Sequence, residues 1–177
     1  PSGRVVTTRE VLKSCGKITI DGDVEMTVAA DDAESGVAIL MPKVTLAPIG
    51  VAHLRDGATA QGGEIAVAGY SYPDTLTEPV LTFGTLADTH DLEGNVARER
   101  LALKALDGDA GGPVLDATGQ VIGMLLPKAS QEGRVLPDAV SFAADAEVIR
   151  RLLGSTAAAD TAPAPGAMAA EDIARIG

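Results

Sequence analysis

Residues 106–125, LDGDAGGPVLDATGQVIGML, carry the reading that decides the fold. Two runs rich in Val, Leu and Ile, Gly112–Asp116 and Gln120–Leu126, flank the turn-forming tetrapeptide DATG, a pattern that predicts two strands joined by a turn. In front of them, DGDAGG places Gly108, Gly111 and Gly112 in one short loop. Glycines crowded in this way satisfy a tight turn that needs positive φ.

The same rhythm continues outward. Candidate strands fall at Arg4–Thr8, Lys17–Ile20, Val24–Ala30 and Val37–Met41, then at Glu64–Gly69, Val80–Leu86, Arg100–Ala105 and Ala139–Ala143. DGD at 21–23, DDAES at 31–35, YPDT, HDLEGN and KASQEGR supply the intervening turns. Short strands punctuated so regularly predict an all-β barrel or sandwich, and no strand–helix alternation supports a parallel α/β sheet. ARERL at 97–101 reads as a loop entering a strand. DAEVIRRLL at 145–153 departs from the pattern: Asp145 suits an N-cap, Val148, Ile149, Leu152 and Leu153 share one helical face, and Gly154 ends the helix. The chain therefore divides into a partial N-terminal barrel (1–45), a Pro- and Gly-containing connection (46–63), a C-terminal barrel with its helix (64–154) and an Ala/Pro-rich flexible tail (155–177).

Composition narrows the function. Hydrophobic residues make up 46% of the 177, enough for a core, but aromatic residues are only 2%, so the core falls to Val, Ile, Leu and Ala and stacking platforms for bases are nearly lacking. A net charge of −11 repels nucleic acid and anionic membranes, and no apolar run approaches a membrane span. Cys15 is alone, which excludes an internal disulfide and a CxxC zinc site. DDAE lacks the spacing of a calcium loop and GEIAVAG is not a GxGxxG fingerprint, so no metal and no cofactor are expected.

The loop GDAGGPV at 108–114 resembles the GDSGGP[LV] signature of trypsin-like serine peptidases, particularly their bacterial HtrA-type branch. SGRVVTTREVLKSC at 2–15, SGVAILMP at 35–42, GEIAVAGYSYP at 63–73 and SFAADAEVIRRLL at 141–153 are similar to further family segments, in the right order. The resemblance implies a double β-barrel with a C-terminal helix. It also implies a Ser-His-Asp triad, in which a hydroxyl attacks a carbonyl, an imidazole takes its proton and a carboxylate orients the imidazole. Carried over by position, Ala110 stands for the serine, Glu10 for the histidine and Gly36 for the aspartate. The histidines present, His53 and His90, fall in the connection and in a turn.

The resemblance further implies that the Gly108 and Ala110 amides form an oxyanion-type pocket within the loop Gly108, Asp109, Ala110 and Gly111, with Asp109 capping local amides. It places a specificity pocket along Lys104–Asp107 and Val140, Ser141, Phe142 and Ala143, suited to small or aliphatic side chains. It also places two strands ahead of Val5, a hairpin to be supplied by upstream sequence or another chain. Together these point to a pseudopeptidase module that binds a peptide or protein in the inter-barrel cleft, in an extracytoplasmic setting. The rival readings are a serine endopeptidase whose nucleophile has been replaced by Ala110, and a structural domain with no ligand.

Overall fold

Alternating apolar and polar residues fold into two antiparallel sheets. The computed structural model describes residues 3–14, 16–48, 50–72, 75–128 and 136–159; Cys15, most of the KASQEGR turn and the tail beyond 159 lie outside these. In the first sheet, β1 (Val5–Thr8), β2 (Ile18–Ile20), β3 (Val24–Asp32) and β4 (Val37–Pro42) pair in the order β1-β4-β3-β2. A single helical turn, α1 (Val11–Ser14), follows β1. Among the described residues β1 pairs with β4 and leaves its other edge open.

The second sheet closes on itself. Its strands β5 (Glu64–Gly69), β6 (Val80–Asp88), β7 (Arg98–Ala102), β8 (Pro113–Asp116), β9 (Val121–Leu125) and β10 (Val140–Asp145) run in the order β10-β7-β6-β5-β8-β9, and β10 bonds to both β7 and β9. Closure removes every sheet edge from this half. The RERLA segment is strand and not loop. β7 starts two residues earlier than its sequence suggests because Arg98, Glu99 and Arg100 pair with Ala144, Ala143 and Phe142.

Two apolar clusters hold the molecule together. One fills the barrel, with Val67, Leu86, Leu101, Val114 and Ile122 at its centre. The other joins the two sheets: Val37 and Ile39 of β4 meet Met124, Leu126, Phe142 and the helix residue Ile149. Burial of such aliphatic side chains contributes roughly 1.5–3 kcal/mol each, so the seam fixes the sheets relative to one another. The helix α2 (Ala146–Ala159) is capped by Asp145, whose Oδ1 accepts the Glu147 and Val148 amides at 2.8 and 3.4 Å. It runs through Gly154, where the sequence suggests a stop. Three alanines of high helix propensity follow, and the Ser155 and Thr156 hydroxyls donate back to the Leu152 and Leu153 carbonyls.

The connection is strapped to the barrel. Leu54 bridges to Val121, and the Arg55 guanidinium pairs with the buried Asp116 carboxylate. Burial opposes ionisation of Asp116, but the Thr118 hydroxyl, Arg55 and the Thr118 and Gln120 amides outweigh it and hold its pKa down at about 2. A folded pKa below the unfolded value gives stability that is present above pH 4 and lost as pH falls towards 2. Asp116→Asn is therefore expected to cost about 2 kcal/mol at neutral pH and to cost little at pH 2, read from urea midpoints at both.

Candidate binding cleft

The loop between β7 and β8 is built from backbone contacts. It opens with a 3₁₀ turn, Asp107–Asp109, in which the Asp109 amide donates to the Leu106 carbonyl at 3.0 Å. Asp109 is buried; its Oδ2 accepts the Leu106 amide at 2.9 Å and its Oδ1 accepts the Ser71 hydroxyl. The Gly111 amide donates to the Leu125 carbonyl at 2.8 Å and the Gly112 amide to the Asp109 carbonyl at 3.0 Å. Among the described residues the Gly108 amide has no acceptor, whereas the 3₁₀ turn ties the Ala110 amide back to the Asp107 carbonyl. Gly108 is exposed, so one donor of the loop remains available to a ligand oxygen.

Sequence alone suggests positive φ for all three glycines of the loop, but only Gly111 has it, at +87°. Gly108 serves a different need: a Cβ there would lie 2.0 Å from the Tyr70 carbonyl oxygen, because the loop packs directly on the end of β5.

Ala110 lines a cavity of about 160 Å³, walled mainly by Leu125, Leu126, Leu136, Val140 and Phe142, with Lys128 contributing at one side. This pocket differs in part from the one the sequence suggests. Ala105, Leu106, Val140, Ser141 and Phe142 line it, whereas Ala143 is fully buried inside the barrel and Lys104 is not a wall residue. The Ser141 hydroxyl donates to the Leu103 carbonyl at 2.9 Å.

Glu10 and Gly36 line a neighbouring cavity of about 170 Å³. The Arg9 amide donates to the Gly36 carbonyl at 2.8 Å, which holds the segment after β1 against the turn before β4. That turn is shaped by Asp32, whose carboxylate accepts the Ser35 hydroxyl and amide; these bonds keep it below the usual carboxylate range despite partial burial. Gly36 follows with φ +80°, and a Cβ there would lie 3.2 Å from Leu126. An aspartate at 36 would be strained in backbone and crowded in space.

The two cavities share Leu126, Pro127 and Phe142 as a common wall. The positions aligned with a catalytic triad thus surround one cleft: 10 and 36 on one side of this wall and 110 on the other. His53 and His90 line neither cavity; His53 is exposed, and His90 sits 2.7 Å from Asp88 at the surface. The second cavity also holds Arg9, Lys13 and Arg98, which come from the turn before α1, from α1 itself and from β7. Sequence reasoning missed these cations, because no local motif marks residues that meet only in the folded chain.

The sequence pattern of the trypsin-like peptidase domain matches residues 1–124. No curated protein matches the sequence. Among solved structures, the chain is similar to Rv3671c from Mycobacterium tuberculosis, crystallised as an inactive Ser-to-Ala mutant. The TM-score is 0.63 with 23% identity, and 94% of this chain and 80% of that one are covered. It is also similar to a serine endoprotease from Yersinia pestis, with a TM-score of 0.68 and 14% identity over 88% of this chain and 54% of that one. At these identities the likeness is one of fold.

Proposed function

The chain belongs to the trypsin-like peptidase family, and from that premise we propose that it is a member without a working Ser-His-Asp triad that binds a peptide or protein segment in its cleft. The observation that carries this reading is the pairing of a methyl group at position 110 with an intact frame around it. The Gly108 amide stays unspent and an apolar cavity adjoins position 110, while the attacking atom is missing. Glu10 and Gly36 support it from the other wall, since Glu10 carries no imidazole and Gly36 no carboxylate. Removing base and nucleophile together costs a peptidase about as much as removing all three triad members. The open edge of β1 supports a second element of the proposal, that a hairpin from upstream sequence or another chain completes the first barrel. The family resemblance supports an extracytoplasmic setting; among the described residues no helix is long and apolar enough to cross a membrane.

Restoring the hydroxyl tests the central claim. Ala110→Ser is expected to hydrolyse peptides no faster than the parent chain and to resist fluorophosphonate labelling. Rapid stoichiometric labelling after that single change would instead identify a serine endopeptidase that only lacked its nucleophile.

A further inference from the structure

We propose that the cleft selects a peptide bearing an acidic side chain next to an apolar one, an inference that rests on the binding reading above and names its ligand. The apolar half of the argument is the 160 Å³ cavity beside Ala110, whose walls of Leu125, Leu126, Leu136, Val140 and Phe142 match an aliphatic side chain in size and character. The acidic half is the adjoining cavity. Arg9, Lys13 and Arg98 face Glu10 and Asp91 there.

These charges are not equally available. Arg9 is paired with Asp31. The Asp91 Oδ1 accepts the Glu93 and Asn95 amides, both at 2.9 Å. Among the described residues, Lys13 and Arg98 make no ion pair, and the Arg98 Nε is buried with no hydrogen-bond partner. An unpaired ammonium and guanidinium lining one cavity favour a ligand carboxylate. Lys128, which lines the apolar cavity, shares the single carboxylate of Asp138 with Lys104, at 3.3 and 3.5 Å. Arg9, Lys13 and Arg98 outnumber Glu10 and Asp91 by one in this cavity, in a chain of net charge −11, so it repels an acidic segment less than the remaining surface does. The shared wall of Leu126, Pro127 and Phe142 places the two subsites side by side. The Gly108 amide can then donate to a backbone carbonyl of the same segment.

The test is selection from a phage-displayed library of randomised ten-residue peptides, followed by titration of a selected peptide and its Glu-to-Gln counterpart. Enrichment of Asp or Glu beside Leu, Ile, Val or Met is expected, with at least tenfold weaker binding of the Gln peptide and weaker binding in high salt. Lys13→Gln, a change on an exposed side chain, and Arg98→Gln should each erase part of that tenfold difference and leave the apolar preference in place. Enrichment of peptides without charge preference, or of basic ones, overturns this proposal while the cleft remains a binding site. Absence of any enrichment overturns the binding reading and this inference with it.

Discussion

Glu99→Gln is expected to be more stable than the parent chain by about 3 kcal/mol at pH 7, and equal to it below pH 4. Glu99 sits on β7 at only 3% exposure, on the strand face that also sends Leu101 into the barrel, and its cross-strand neighbour is Ala143. Its Oε2 has no hydrogen-bond partner among the described residues. Burial, and secondarily the charge of Asp145, push its pKa up to about 8. The unfolded chain releases this proton near pH 4.5, while the folded chain retains it. Stability is therefore full below the unfolded pKa, declines as pH rises, and levels off only above pH 8. Each pKa unit of separation is worth about 1.4 kcal/mol, which gives the figure at pH 7. Glutamine has the shape of the protonated acid and no proton to lose, so its chain should show no such slope. Urea midpoints of both chains from pH 4 to pH 9 decide the matter; parallel curves would show that Glu99 is solvated or paired.

Glu99 also marks the limit of what the sequence discloses. Nine of the ten strands are legible because each is a short run containing Val, Ile or Thr between turn residues, a local signal that tertiary contacts only sharpen. ARERL reads differently because three charges in five residues outweigh its apolar content. It is a strand because barrel closure demands a partner for β10, and the closed register then buries one of those charges. Gly154 misleads in the opposite direction: a glycine ends a helix only where the following residues leave it, and here alanines follow. The loop at position 110 is legible because its whole apparatus is contiguous in the chain. The cleft around it is not, since Lys13, Arg98 and Leu126 arrive from three separate segments and carry no shared spacing. Composition points to a uniformly acidic molecule, and only the fold brings Arg9, Lys13 and Arg98 together at the wall of Phe142.

The glycines of the loop separate two physical demands that the sequence leaves merged, and substituting them one at a time should expose the difference. Gly112→Ala is expected to cost about 3 kcal/mol or more, and Gly111→Ala about 1–2 kcal/mol. At Gly112 a Cβ would stand 2.2 Å from the Ala68 carbonyl oxygen and 2.9 Å from that of Asp109. Both obstacles are backbone, one at the end of β5 and one inside the loop, so no side-chain rotation relieves them. The pairing of Val67 with Val114 must open, or the bond from the Gly112 amide to the Asp109 carbonyl must break. Either movement also displaces Ala110 at the wall of the apolar cavity, so the variant should lose peptide binding along with stability. At Gly111 the space is free, with Thr7 Oγ1 and Thr8 Cγ2 at 3.9 Å, and the penalty comes only from holding a residue with a side chain at φ +87°. That strain is local and leaves the loop's bonds to Leu125 in place, so binding should survive a modest loss of stability. Thermal melts of the two variants, with peptide titration beside them, give the order directly. A larger loss at 111 than at 112 would mean that backbone strain, and not the close approach of β5, sets the conformation of this loop.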